Sequence, residues 1–147
     1  MSDNERWIRI ERPLRSSTER VYRAFTDPEE ILRWFAQQVE GSLAVGSRSV
    51  LVFERERRWV DVVEAEPNRR IVFRWPRLSD ESLVTTVTIS IARRGMGSRV
   101  AIADGPFPID EPGILDAWGD AREGWGAELA QLCAYLDYSV DLRLSAI

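Results

Sequence analysis

The sequence predicts an α+β fold in which a curved antiparallel sheet wraps a long C-terminal helix and two short helices follow the first strand. Three observations predict it. First, apolar residues recur at Leu115, Trp118, Ala121, Trp125, Leu129, Leu132 and Leu136, a spacing of three and four that lays one apolar stripe on a helix over residues 112–136. Such a helix is roughly 35 Å long and crosses a small domain end to end. Second, a series of β-patterned runs separated by short turns fills the middle of the chain, as an antiparallel meander requires. Third, two helix-start signals stand between the first such run and the rest.

Taken in order, residues 7–12 read as an extended segment, and Pro13 ends its clean strand pattern. Ser16 with Glu19 three later fits a capping box, and Val21, Tyr22, Ala24 and Phe25 supply the face of a short helix. Asp27, Pro28 and Glu30 repeat the signal for a second helix carrying Ile31, Leu32, Trp34 and Phe35. Residues 41–46 form a turn-rich lead-in to the sheet. The run Val50-Leu51-Val52-Phe53 fits a strand buried on both faces, or one beside a bulge.

Residues 54–58 are a polar connection to a strand over 59–65, and Pro67-Asn68 marks the next turn. Ile71, Phe73 and Trp75 share one face of the following strand, and residues 76–82 form a loop. Residues 83–91 carry the strongest strand signal, with Val87, Ile89 and Ile91 alternating against Thr86, Thr88 and Ser90. A turn at 94–97 leads into 98–104, where Val100 and Ile102 face the core. Gly105-Pro106-Phe107-Pro108 is expected to stop a central strand. The tail after Tyr138, with Leu142, Leu144 and Ile147, either packs back as a last turn or frays. The order is one strand, two short helices, five strands and one long helix.

Composition bounds the function. The chain has 147 residues, 44% hydrophobic and 30% charged, which fits one domain over 1–147 with its core at about 7–138. The N-terminal residues carry acid and no apolar run, and no stretch approaches the ~20 residues of a membrane span, so a cytoplasmic protein without membrane insertion is expected. Histidine is absent, which removes the Ser-His-Asp triad, the Cys-His pair and His-containing zinc sites. A net charge of -4 argues against non-specific nucleic-acid binding. Cys133 is the single cysteine, expected as a small buried residue. Asp104, Asp110, Glu111 and Asp116 lack the alternating oxygen ligands of a calcium loop, so neither metal nor cofactor is expected.

Several stretches together resemble the START-like or SRPBCC superfamily, the helix-grip fold shared with the birch-pollen-allergen proteins. They are Val21-Tyr22-Arg23-Ala24-Phe25-Thr26-Asp27-Pro28-Glu29, Leu32-Arg33-Trp34-Phe35, residues 41–53, residues 68–75, and Gly124-Trp125 followed by Leu129, Leu132, Tyr135 and Leu136. Within the superfamily the chain is similar to the group named for the C-terminal domain of the activator of heat-shock-protein-90 ATPase homologue. The resemblance covers roughly residues 7–138 and implies a cavity between sheet and long helix. The superfamily holds carriers of hydrophobic ligands, polyketide cyclases and protein-binding domains, so the resemblance implies no single activity. This chain departs from the group's pattern at residues 54–58, where a glycine is common, at Ser98, where threonine is frequent, and at Asp104-Gly105-Pro106-Phe107. The group offers no catalytic motif to carry over.

Six tryptophans are many for this length, and large aromatic rings either fill a core or wall a pocket. Trp34, Trp59, Trp75, Trp118 and Trp125 are assigned to elements bordering the sheet–helix interior, together with Phe53, Phe73 and Phe107, while Trp7 reads as edge packing. Asp61 and Arg74 project from the outer face by alternation. Asp104 falls on the face of Val100 and Ile102, and a buried carboxylate needs a partner. Arg122, four residues after Trp118 and three before Trp125, is the candidate partner. The expected function is a binder of a small hydrophobic or aromatic ligand in the sheet–helix cavity. The alternatives are a protein-binding, co-chaperone-like or stress-related domain, and a cyclase- or hydrolase-like enzyme using a cavity carboxylate.

Overall fold

A computed structural model describes residues 4–78 and 81–145, without the side chains of 144 and 145. Expectations touching residues 1–3, the middle of the 76–82 loop, the side chain of Leu144 and Ile147 lie outside that description. The elements are β1 (Glu5–Leu14), α1 (Thr18–Thr26), α2 (Pro28–Trp34), β2 (Gln38–Gly41), β3 (Arg48–Val52), β4 (Arg57–Glu66), β5 (Arg70–Pro76), β6 (Val84–Arg94), β7 (Gly97–Pro108) and α3 (Ile114–Tyr138). Seven strands form one antiparallel sheet in the order β1-β7-β6-β5-β4-β3-β2. Its concave face packs on α3, with α1 and α2 closing one end, which is the helix-grip architecture.

Six strands follow the short helices rather than five. The missed one, β2, is four residues long and carries no apolar alternation, because it pairs only with β3 and has solvent on its other edge. On β3, Ser49 and Leu51 point inward while Val50 and Val52 are half-exposed outside, so the run at 50–53 is neither buried on both faces nor bulged. Val50 lies opposite Trp59 in the register with β4. The bulge sits one strand later, between Val62 and Glu64.

Proline also behaves differently from expectation. Pro13 does not end β1, because β1 is an edge strand and a missing N–H can face solvent there. Strand β7 runs on through Gly105-Pro106 to Pro108: β6 pairing ends at Thr86–Gly105, and the β1 register shifts between Arg6 and Ile8, so Pro106 falls where the ladder is already broken.

At the helix starts, Ser17 rather than Ser16 caps α1, accepting from the Arg20 N–H at 3.2 Å. Ser16 instead donates its hydroxyl and its N–H to the Asp137 carboxylate at 2.8 and 3.1 Å, tying the start of α1 to the end of α3. Asp27 caps α2 with Pro28 in its first turn, as its sequence predicts, but Glu30 does not complete the box. Its carboxylate accepts from the Tyr135 hydroxyl. The first buried residue of α3 is Ile114, and Leu115 is 49% exposed, because the helix begins two residues later than Pro112. Trp125, Leu129, Leu132 and Leu136 carry the buried stripe onward. The tail packs back through Arg143, which donates to the carbonyls of Leu32 and Ala36 at 2.7 and 3.0 Å.

Candidate functional site

Aromatic rings run from α2 across the sheet to α3. Trp34 stacks on Phe35 at 4.9 Å between centroids, Phe35 meets Phe53 at 5.2 Å and Trp75 at 6.5 Å, and Trp75 tilts against Trp125 at 5.6 Å. Between these rings and the middle of α3 opens a cleft of about 350 Å3. Phe35 at the end of α2, Phe53 after β3, Trp75 on β5, and Ala121, Gly124 and Trp125 on α3 give it apolar walls. Glu56, Arg58, Arg77, Asp120 and Glu128 give it charge. Beneath it a second void of only about 50 Å3 is apolar, bounded by Ile31, Leu51, Val62 and Phe73, and Phe35 and Trp125 form the partition between the two.

Asp104 lies behind that partition at 0% exposure. Its Oδ2 accepts from the Trp125 indole N–H at 2.8 Å and from the Arg77 guanidinium. Arg77, 8% exposed in its side chain, is thus the partner of Asp104, and Arg122 is not. Arg122 is exposed and lies over the Trp118 ring, its Cζ 6.0 Å from the centroid. Burial, with the nearby Arg58 charge adding to it, pulls the Arg77 guanidinium down to about 9, against the opposing pull of Glu56 and Glu128. It remains a cation at neutral pH.

Glu128 faces the same cleft and shows the opposite shift. Burial pushes its carboxyl up to about 7, although a hydrogen bond from Gln131 and the charges of Arg58, Arg143 and Arg77 all favour the ionised form. Four buried polar atoms in this corner have no partner among the described residues: Trp75 Nε1, Arg77 Nε, Thr85 Oγ1 and Asp104 Oδ1. Thr85 is the register partner of Trp75 across the β5–β6 pair, and Arg77 follows Trp75 by two.

The sequence-predicted residues therefore divide. Phe53, Trp75 and Trp125 line the cleft, Phe73 lines the lower void, and Asp104 supports Trp125 and Arg77 from behind. Trp34 and Phe107 are fully buried away from it, Trp34 donating its indole N–H to the Ala24 carbonyl at 2.9 Å. Trp59 lies on the outer face under Arg48, whose Cζ is 4.1 Å from the ring, because Val60 and Val62 are the inward residues of β4. Trp118 sits beyond the cleft, donating to the Trp7 carbonyl at 3.3 Å.

Phe35, Glu56, Arg58, Arg77 and Glu128 were not anticipated as site residues. Counting by two back from Val60 reaches Arg58, and counting on from Trp75 reaches Arg77. Glu128 stands three residues after Trp125 on the helix. No group of three or more Asp, Glu, Cys or His side chains gathers as a metal site among the described residues, and no helix there is long and apolar enough to cross a membrane.

Residues 15–137 match the family model described as activator of Hsp90 ATPase homolog 1-like protein. The fold is similar to that of protein Mll3558 from Rhizobium loti, 25% identical with a TM-score of 0.74, covering 90% of this chain and 97% of that one. It is similar to protein MLL2253 from Mesorhizobium loti, 24% identical with a TM-score of 0.75, covering 86% and 93%. It is also similar to the Aha1 dimer from Colwellia psychrerythraea, 17% identical with a TM-score of 0.78, covering 90% and 97%. No curated protein matches the sequence. Members of the matched family are typically non-catalytic. The family model spans residues 15–137, which hold the two short helices, β2 to β7, the cleft and all of α3 but its last residue, with β1 before the match, and the chain belongs to the activator of Hsp90 ATPase homolog 1-like family of the START-like superfamily.

Proposed function

We propose that this chain is a non-catalytic binding domain whose partner is a protein, an ATPase of the Hsp90 type. The observation that carries this reading is the family match over residues 15–137. A contact surface is available where the tail meets α2: Leu32, Val140 and Leu142 expose apolar side chains, and Arg143 ties the two segments together. Exposed apolar groups gathered in one place favour docking of another surface. Calorimetric titration of an Hsp90-type ATPase domain with this protein is expected to give saturable binding and a raised ATPase rate. Leu32→Asp, on an exposed residue, is expected to weaken that binding about tenfold. Absence of binding heat together with an unchanged ATPase rate contradicts the reading.

A second reading is favoured by the cleft itself. Its volume of about 350 Å3, its aromatic walls and its unpartnered buried polar atoms suit a small ligand. Saturable quenching of tryptophan emission by a small aromatic molecule, with shifts at the Trp75 and Trp125 indole N–H groups, is the expected outcome. Unchanged indole signals across a panel of aromatic molecules contradict it.

A further inference from the structure

At the inner end of the cleft one indole carries two guanidinium groups. The Cζ atoms of Arg58 and Arg77 lie 4.5 and 4.6 Å from the Trp75 ring centroid. Among the described residues each arginine has one carboxylate, and neither carboxylate fully answers it. Glu56, the partner of Arg58 at 2.9 Å, is 54% exposed and shares its charge with water. Asp104, the partner of Arg77, divides one oxygen between Arg77 and the Trp125 indole. Two donors remain buried without a partner among the described residues, Arg77 Nε and Trp75 Nε1. Guanidinium and indole N–H groups donate only, so what completes them is an acceptor. A planar guanidinium beside a second cation selects an acceptor that is flat and negatively charged. The remaining walls, Phe35, Phe53 and Trp125, are aromatic and suit a ring.

We propose that the cleft is a receptor for a small planar aromatic carboxylate, its ring against Phe35, Phe53 and Trp125 and its carboxylate on Arg58 and Arg77. This assignment rests on the small-ligand reading of the cleft and is independent of the protein partner. It also couples binding to a proton. Glu128 faces Arg58 from β4, Arg77 beyond β5, Arg143 from the tail and Gln131 on its own helix, and Glu56 and Asp120 are the other acids at the cleft. Burial holds a proton on Glu128 into the neutral range. A bound carboxylate nearby holds that proton more strongly, so binding takes one up and tightens as pH falls.

The test uses 2-naphthoate and its neutral isostere 2-naphthamide, each titrated against the whole protein by tryptophan fluorescence at about pH 6 and about pH 8. Naphthoate is expected to bind at least about tenfold tighter than naphthamide at the lower pH and to weaken several-fold at the higher one. Arg58→Gln is expected to abolish the preference for naphthoate. Glu128→Gln is expected to keep the preference and lose the pH dependence. Equal affinity for the two probes overturns the carboxylate assignment while leaving the small-ligand reading standing. Binding of neither probe overturns both. Persistence of the pH dependence in Glu128→Gln overturns the proton coupling.

Discussion

Asp104 holds Arg77 and Trp125 with one oxygen, while its other oxygen is buried without a protein partner. Taking one member from a buried ion pair leaves the other charge uncompensated, which costs more than the pair contributes. Asp104→Ala should therefore lower stability by about 3–5 kcal/mol in urea unfolding. Adding Arg77→Met should recover a large part of that loss, and strict additivity of the two changes would deny the coupling. Glu128 gives a pH signature. Its carboxyl moves from 4.5 to about 7 on folding, so between those values the folded chain holds a proton that the unfolded chain has released. Stability consequently falls as pH rises through that window, its contribution complete below the lower value and lost above the upper. Glu128→Gln should flatten that slope and gain roughly 1–3 kcal/mol at about pH 8, with no gain in acid. An unchanged slope would place the titration elsewhere. Asp104 was legible as an inward carboxylate by counting from Val100 and Ile102. Arg77 was not, because Pro76 and the loop after it mask the period of two that begins at Ile71.

Among the elements, α3 and the β1–β7 pair are tested most cleanly by two glycines. A Cβ at Gly97 would lie 2.2 Å from the Leu14 carbonyl oxygen, so β1 and β7 close there only without a side chain. At Gly119, on exposed α3 surface, a Cβ meets nothing within 4 Å. Gly119→Ala should stabilise by about 0.5–1 kcal/mol through helix propensity, whereas Gly97→Ala should lower the melting temperature markedly. A thermal melt decides both, and a neutral Gly97→Ala would mean that the strand ends part easily. Elements that bury an apolar face were readable for a physical reason: β5, β6 and α3 carry regular apolar periods because one side of each meets the core. The short edge strand β2 buries almost nothing and left no period. The Ser16 side chain chose Asp137 over the helix N-terminus, a partner separated by most of the chain and invisible to local pattern.

For the whole molecule, the sheet and α3 leave a cleft lined on one side by arginines, while Leu32 on α2 and Val140 and Leu142 on the tail expose apolar side chains. The family and fold were legible because their pattern spreads over many short stretches, none of which must be perfect. The docking surface proposed above was not legible, because such a surface needs no period and Leu32 is separated from Val140 and Leu142 by more than a hundred residues of sequence. The most direct measurement is a backbone amide shift map recorded while an Hsp90-type ATPase domain is added. Shifts concentrated at Leu32, Val140 and Leu142, with the hairpin at Met96 unmoved, are the result this account predicts. An unperturbed spectrum, or shifts confined to that hairpin, would contradict it.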